Sequence, residues 1–165
     1  MAVDDRASVK LTRHTDYSLR ALIYLGVHTN RRIAIAEISE AYAISRNHLV
    51  KVIQSLAKLG VVKTIRGRSG GVILALPPEE IVLGRVIRGT EPCFRMVEPP
   101  KSESEVEDVS TTSGLATILG GALNSFFEQL DKFTLADLLG NVDLVRISAD
   151  EPIVLPTPIP SSPQL

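Results

Sequence analysis

At 165 residues, with a net charge of −1 and a lone cysteine, Cys93, the chain suits one compact domain plus an appendage and excludes an intramolecular disulfide framework. With no run of about 18 apolar residues and no apolar core in the opening MAVDDRASVK, neither a membrane-spanning helix nor a signal peptide is expected, which predicts a cytoplasmic protein without a membrane partner. The small net charge hides an asymmetry: residues 1–90 carry 14 Lys and Arg against 7 Asp and Glu, whereas residues 91–165 carry 4 against 12. A basic first half predicts a head that meets a polyanion, and an acidic second half a remainder that faces away from it.

In chain order, residues 1–9 read as a flexible start. A first helix is expected from about Thr12 to Thr29, with apolar surface from Tyr17, Ala21, Ile23, Tyr24 and Leu25. Asp16 lies in its first turn, where a carboxylate suits the helix dipole. Ile35 to Tyr42 reads as a short helix with Ile35, Ile38 and Ala41 on one side. Ala43-Ile44 then turns tightly, and Ser45 is a good N-cap for the next helix. In that helix Leu49, Val52, Ile53, Leu56 and Leu59 recur at three- and four-residue spacing and define one buried face. Two short helices joined by so tight a turn match the helix-turn-helix pattern.

Function is concentrated between Ala43 and Gly71. No Asp or Glu lies between Glu40 and Glu79, while Arg46, Lys51, Lys58, Lys63, Arg66 and Arg68 are all cationic. Soluble domains intersperse both signs, so a one-signed run points to a polyanionic partner. Ser45, Arg46, Asn47, His48 and Lys51 cluster at the N-terminal end of the second helix, where a recognition helix presents side chains to base edges. Taken alone, that helix reads first as an ordinary amphipathic helix with a solvated face. The segment after it favours DNA. Gly60 ends the helix, Val61–Ile65 and Val72–Leu76 read as paired strands, and Gly67-Arg68-Ser69-Gly70-Gly71 forms the turn between them. Lys63, Arg66, Arg68, Ser69 and Gly70 would thus line a wing. The same glycines do not make a nucleotide loop, which needs GxxxxGK and then Ser or Thr between a strand and a helix.

After the wing, Pro77-Pro78-Glu79-Glu80 is expected to open a helix running to about Gly89, with Ile81, Val82, Val86 and Ile87 inward. Residues 91–112 lose apolar periodicity and become rich in Ser, Glu and Pro, which reads as a variable, mobile loop. From Ser113, a plausible cap, a long helix carries the stripe Leu115, Ile118, Leu119, Ala122, Leu123, Phe126, Phe127 and Leu130. A core helix of the same chain would account for part of this stripe. Its excess apolar surface, with small residues at Gly120, Gly121 and Ala122, predicts a homodimer contact through Leu115, Leu119, Leu123, Phe126 and Leu130, since palindromic operators require two-fold proteins. A short helix closes the structured part at 139, and the five prolines between Glu151 and Leu165 predict that 140–165 is a disordered tail. The expected fold is mainly α with a small β-hairpin: a winged helix-turn-helix DNA-binding domain over 10–90 and a dimerisation unit over 113–139.

The segments 11–25 (LTRHTDYSLRALIYL), 44–91, 94–98 (FRMVE) and 127–139 (FEQLDKFTLADLL) resemble, in order and spacing, the bacterial winged-helix repressors of the IscR/NsrR family, above all its nitric-oxide-sensing members. The resemblance implies a DNA-binding homodimer whose long helix crosses between subunits. It also implies three cysteines holding an iron–sulfur cluster, and here the chain departs. The first position, after FRMVE, is Pro99; the second falls near Glu107; the third is about Ser113. Such clusters are held mainly by thiolates, so the chain is expected to carry no cofactor and no metal. Asp16 matches a position from which some relatives donate a ligand to the partner subunit; without the thiolates it reads as a helix-start carboxylate.

The expected function is a sequence-specific transcriptional regulator, a repressor acting as a homodimer on palindromic double-stranded DNA without a cluster. The alternative is a single-thiol redox switch through Cys93, although only Arg95 is near in sequence to activate that thiol. An enzyme is not expected: His14, His28 and His48 fall on separate helical segments with no ligand or triad spacing.

Overall fold

The computed structural model describes residues 11–67, 70–92 and 109–140, with backbone alone for 109–113. The expected flexible start 1–9, the wing residues Arg68 and Ser69, Cys93, Pro99, Glu107 and the disordered tail beyond Gly140 lie outside the described residues.

Six α-helices and one hairpin are described: α1 (Arg13–Val27), α2 (Ile35–Tyr42), α3 (Arg46–Lys58), β1 (Val62–Ile65), β2 (Gly71–Leu74), α4 (Leu83–Thr90), α5 (Val109–Leu130) and α6 (Leu135–Gly140). Local chemistry sets most boundaries. The Thr12 hydroxyl caps α1 by accepting the Thr15 N–H, and Ser45 does the same for α3 through His48 N–H. Gly60, at φ 76°, releases α3 into the hairpin.

The core is one apolar body. Leu19, Leu22 and Leu25 of α1, Ile38 of α2, Leu49, Val52, Ile53 and Leu56 of α3, Val62 and Val72 of the hairpin, and Val86 of α4 are all buried in it. The hairpin pairs Val62 with Leu74, Lys63 with Ile73, Thr64 with Val72 and Ile65 with Gly71. A single residue between α1 and α2 adds a one-rung bridge to β2: Ile33 and Val72 exchange both backbone hydrogen bonds, at 3.0 and 2.8 Å. No strand pattern surrounds Ile33, so this rung is invisible to periodicity.

Four expectations need correcting. The strands are shorter than expected: Val61 donates its N–H to Leu56 O at 3.1 Å as the chain leaves α3, so only its carbonyl stays in the pairing, accepting the Ala75 N–H at 3.0 Å, and the chain bends at Ala75-Leu76. Ala41 is exposed, and α2 buries Ile38. Pro77–Gly89 is not one helix. Pro78–Glu80 forms a 3₁₀ turn, Ile81 and Val82 are extended, and α4 starts only at Leu83. The reason is long-range: Leu83 N–H donates to Phe133 O, and Leu135 N–H to Ile81 O, so the extended pair ties the approach to α4 to the start of α6. Finally, α5 begins at Val109, inside the expected loop, so Ser113 lies within the helix rather than capping it. No Gly or Pro stands between Val109 and Ser113 to stop the helix there.

α5 sits on the body by one end. Phe127 is buried, the Arg88 guanidinium lies 4.4 Å from its ring centroid, and Arg88 Nη1 donates to Asp131 Oδ1 at 2.9 Å. Further towards its start, residues 114–118 are all exposed.

Candidate nucleic-acid interface

The helix-turn-helix turn is built by Ser39 and Ala43. Ser39 O accepts the Ile44 N–H at 3.1 Å, and Ser39 Oγ donates to Ile44 O at 2.6 Å. Ala43 takes the left-handed conformation, φ 52° and ψ 30°, at the end of α2. Ile44 is buried beyond it, which fixes the direction in which Ser45 starts α3.

Two anchors orient α3. Its apolar face, Leu49, Val52, Ile53 and Leu56, is buried to 1% exposure or less. Alongside, His14 Nε2 and Ser55 Oγ of α1 and α3 share a 3.1 Å hydrogen bond, and the Tyr17 ring lies 6.1 Å from that of His48. The opposite face is left to solvent: Ser45, Arg46, Asn47, His48 and Lys51 are all exposed. The first turn of α3 contains no acid, so the positive end of its dipole and Arg46 add without local neutralisation.

The hairpin carries the second set of predicted residues. Lys63 and Arg66 are exposed. Gly67, at φ 109°, and Gly70 close the turn through a Gly70 N–H to Gly67 O hydrogen bond of 2.9 Å. A Cβ on Gly70 would lie 2.5 Å from Ile65 O, so only glycine fits there. Arg46, Lys51, Lys63 and Arg66 form no salt bridge among the described residues. Two other cations of the head are matched: Arg20 Nε meets Asp16 Oδ2 at 2.9 Å, and Arg31 pairs with Glu37. The Glu37 carboxyl also accepts from Tyr24 OH at 2.8 Å; the Arg31 guanidinium first and the tyrosine second hold its pKa down to about 2. The Tyr24–Glu37 bond fastens α2 to α1, while α3 and the hairpin carry the exposed cations Arg46, Lys51, Lys63 and Arg66, with no acid among them.

Residue-by-residue reading missed part of this surface. The helical stripe through Asn47 and Lys51 continues to Val50 and Gln54, both exposed. The signal was present in the three- and four-residue spacing from Asn47.

The predicted dimer residues lie on α5. Leu115 is 51% and Ile118 70% exposed; Leu119, Leu123, Phe126 and Leu130 are half-buried. A Cβ on Gly120 or Gly121 would meet nothing within 4 Å. The stripe therefore continues well past the end that Phe127 anchors.

Asp16, at the position from which some relatives donate a cluster ligand, is occupied on one oxygen by Arg20, and its buried Oδ1 accepts no hydrogen bond among the described residues. His14 and His28 are engaged by Ser55 and by the Tyr24 carbonyl. No group of three or more His, Cys, Asp or Glu close enough to hold a metal ion occurs among the described residues, and no helix among them is long and apolar enough to cross a membrane.

Comparison with known proteins agrees with this geometry. The Rrf2 profile, described as iron-dependent transcriptional regulator, matches residues 11–141. The chain is 46% identical over 139 residues to the HTH-type transcriptional regulator NsrR of Bacillus licheniformis, covering 84% of this chain and 97% of that protein. It is also 46% identical over 134 residues to NsrR of Bacillus subtilis, covering 81% and 92%. Among solved structures, T. potens IscR superposes with a TM-score of 0.63 at 27% identity, over 86% of this chain and 93% of that one. CymR, the global cysteine regulator of B. subtilis, superposes with 0.58 at 26% identity, over 81% and 98%.

Proposed function

The chain belongs to the Rrf2 family of winged-helix transcriptional regulators, and from that premise we propose that it is a cytoplasmic repressor binding a palindromic operator as a homodimer, without an iron–sulfur cluster. It is a DNA-binding regulator of the NsrR kind and not an enzyme. The observation that carries the finer reading is the exposed, acid-free, cationic end of α3 beside the cationic hairpin. In this reading α3 enters the major groove. Arg46 and Asn47 reach base edges, Ser45 and His48 lie at the groove's margin, and Lys51 and Lys63 meet phosphates. Arg66, with Arg68, Ser69 and Gly70 at the wing tip, follows the backbone into the neighbouring minor groove.

The second half of the proposal concerns iron. A cluster in each subunit would need about four ligands, mainly thiolates, and the chain supplies one cysteine. Of the described donors, Asp16 is bonded by Arg20 on one oxygen and His14 by Ser55, and the one open oxygen of Asp16 does not make a donor set. The residues do not fit a cluster.

Selection of bound duplexes from a randomised pool, with salt titrations of variants on the selected duplex, tests the DNA reading. Arg46→Ala should lose about 1–3 kcal/mol on the selected duplex and little on random DNA. Lys51→Ala should weaken both alike and lower the salt slope by about one. Equal loss on both duplexes for Arg46→Ala would remove it from base readout, and a pool that never converges would refute sequence-specific binding.

A further inference from the structure

We propose that Val50 is a specificity-determining residue that reads the C5-methyl group of a thymine in the major groove, an inference that rests on α3 being the recognition helix. The apolar residues of α3 divide sharply: Leu49, Val52, Ile53 and Leu56 are buried, whereas Val50 is 40% exposed. A lone exposed valine is common on protein surfaces, so its neighbours decide the matter. Val50 lies one turn beyond Arg46 and Asn47 and one turn before Gln54, and all three are exposed polar side chains. It is thus the apolar member of a stripe whose other positions hold donors and acceptors.

The chemistry of the groove supplies the counterpart. Among the four bases, thymine alone offers an apolar group, its methyl, on the major-groove edge, and side-chain methyls pack on it. The branched valine suits this task because its side chain is stiff in a helix and projects two methyls in one direction. Flexible polar neighbours on either side supply hydrogen bonds; Asn and Gln are matched to adenine by their paired donor and acceptor. The stripe therefore favours A·T pairs near the centre of each half-site.

The test uses the full-length protein and the operator obtained by selection. Each thymine is replaced in turn by deoxyuridine, which removes the methyl and leaves every hydrogen-bonding group in place. Wild type and Val50→Ala are then titrated on each duplex, with circular dichroism as a check of folding. One position per half-site should show about a fourfold loss for wild type, the size expected for one buried methyl group. Val50→Ala should show a similar loss on the unmodified operator and no further loss at that position, a non-additive cycle. Val50→Thr, which keeps one methyl, should fall between the two. If every deoxyuridine costs Val50→Ala as much as wild type, or if no position matters, the inference is overturned while DNA binding stands. Failure to select any duplex overturns both.

Discussion

Ala43 carries more conformational strain than any other described non-glycine residue, since it alone has a positive φ. A left-handed alanine costs roughly 1–2 kcal/mol because its Cβ crowds the following carbonyl. The turn tolerates this because Ser39 holds Ile44 from both its carbonyl and its hydroxyl. Ala43→Gly should therefore stabilise the protein by about 0.5–1 kcal/mol, the relief being partly offset by glycine's greater freedom in the unfolded chain. Urea unfolding should show a higher midpoint with an unchanged slope; a lower midpoint would mean that Ala43 makes a contact outweighing its strain. Residue-level chemistry was partly readable from the sequence. Ser45 and Gly60 announce their roles because a capping hydroxyl and a left-handed glycine are local devices. Ala43 announces nothing, since alanine has no preference for the conformation it adopts.

At the scale of elements, α2 and α3 were legible because apolar spacing and end signals agree there, and both are short enough for local rules to decide. The approach to α4 was not. Pro78 and the two acids after it are ordinary helix-start chemistry, but the backbone of Ile81 and Leu83 is claimed by residues 133–135, some fifty positions away. The Ile33 rung has the same character, and the early start of α5 shows that Ser- and Thr-rich sequence can still be helical. The α4–α5 joint offers a sharp test. Gly84 is buried, and a Cβ there would lie 2.1 Å from Asp131 Oδ1 and 3.2 Å from the Asp131 backbone nitrogen. Gly84→Ala raises helix propensity, so on an isolated helix it would stabilise. In this protein it should destabilise by about 1–3 kcal/mol as an overpacked contact, loosening the Arg88–Asp131 pair and with it the seat of α5. Thermal unfolding of the variant decides between the two; a raised midpoint would show that the joint yields freely.

The whole molecule divides its labour along the charge asymmetry: a basic head over residues 1–90 and an acidic remainder that carries α5. The exposed stripe of α5 is larger than Phe127's seat on α4 requires, which supports pairing of two chains. Leu119→Asp together with Phe126→Asp should give a folded monomer by sedimentation, with operator affinity lowered about a hundredfold or more, since two linked half-sites gain from effective concentration. A variant that stayed dimeric would move the interface elsewhere. The family resemblance was readable from ordered segments covering most of 10–139, and so was the departure from it, because the absence of thiols is a matter of counting. The measurement that bears most directly on the account is operator binding by protein purified without oxygen, in parallel with metal-free protein, with iron and sulfide quantified in each. The account predicts a colourless dimer without stoichiometric iron, bound two chains per operator, with the same affinity in both preparations and no response to nitric oxide. An anaerobic preparation holding about two or four irons per subunit, with affinity that changes when the iron is removed, would contradict it.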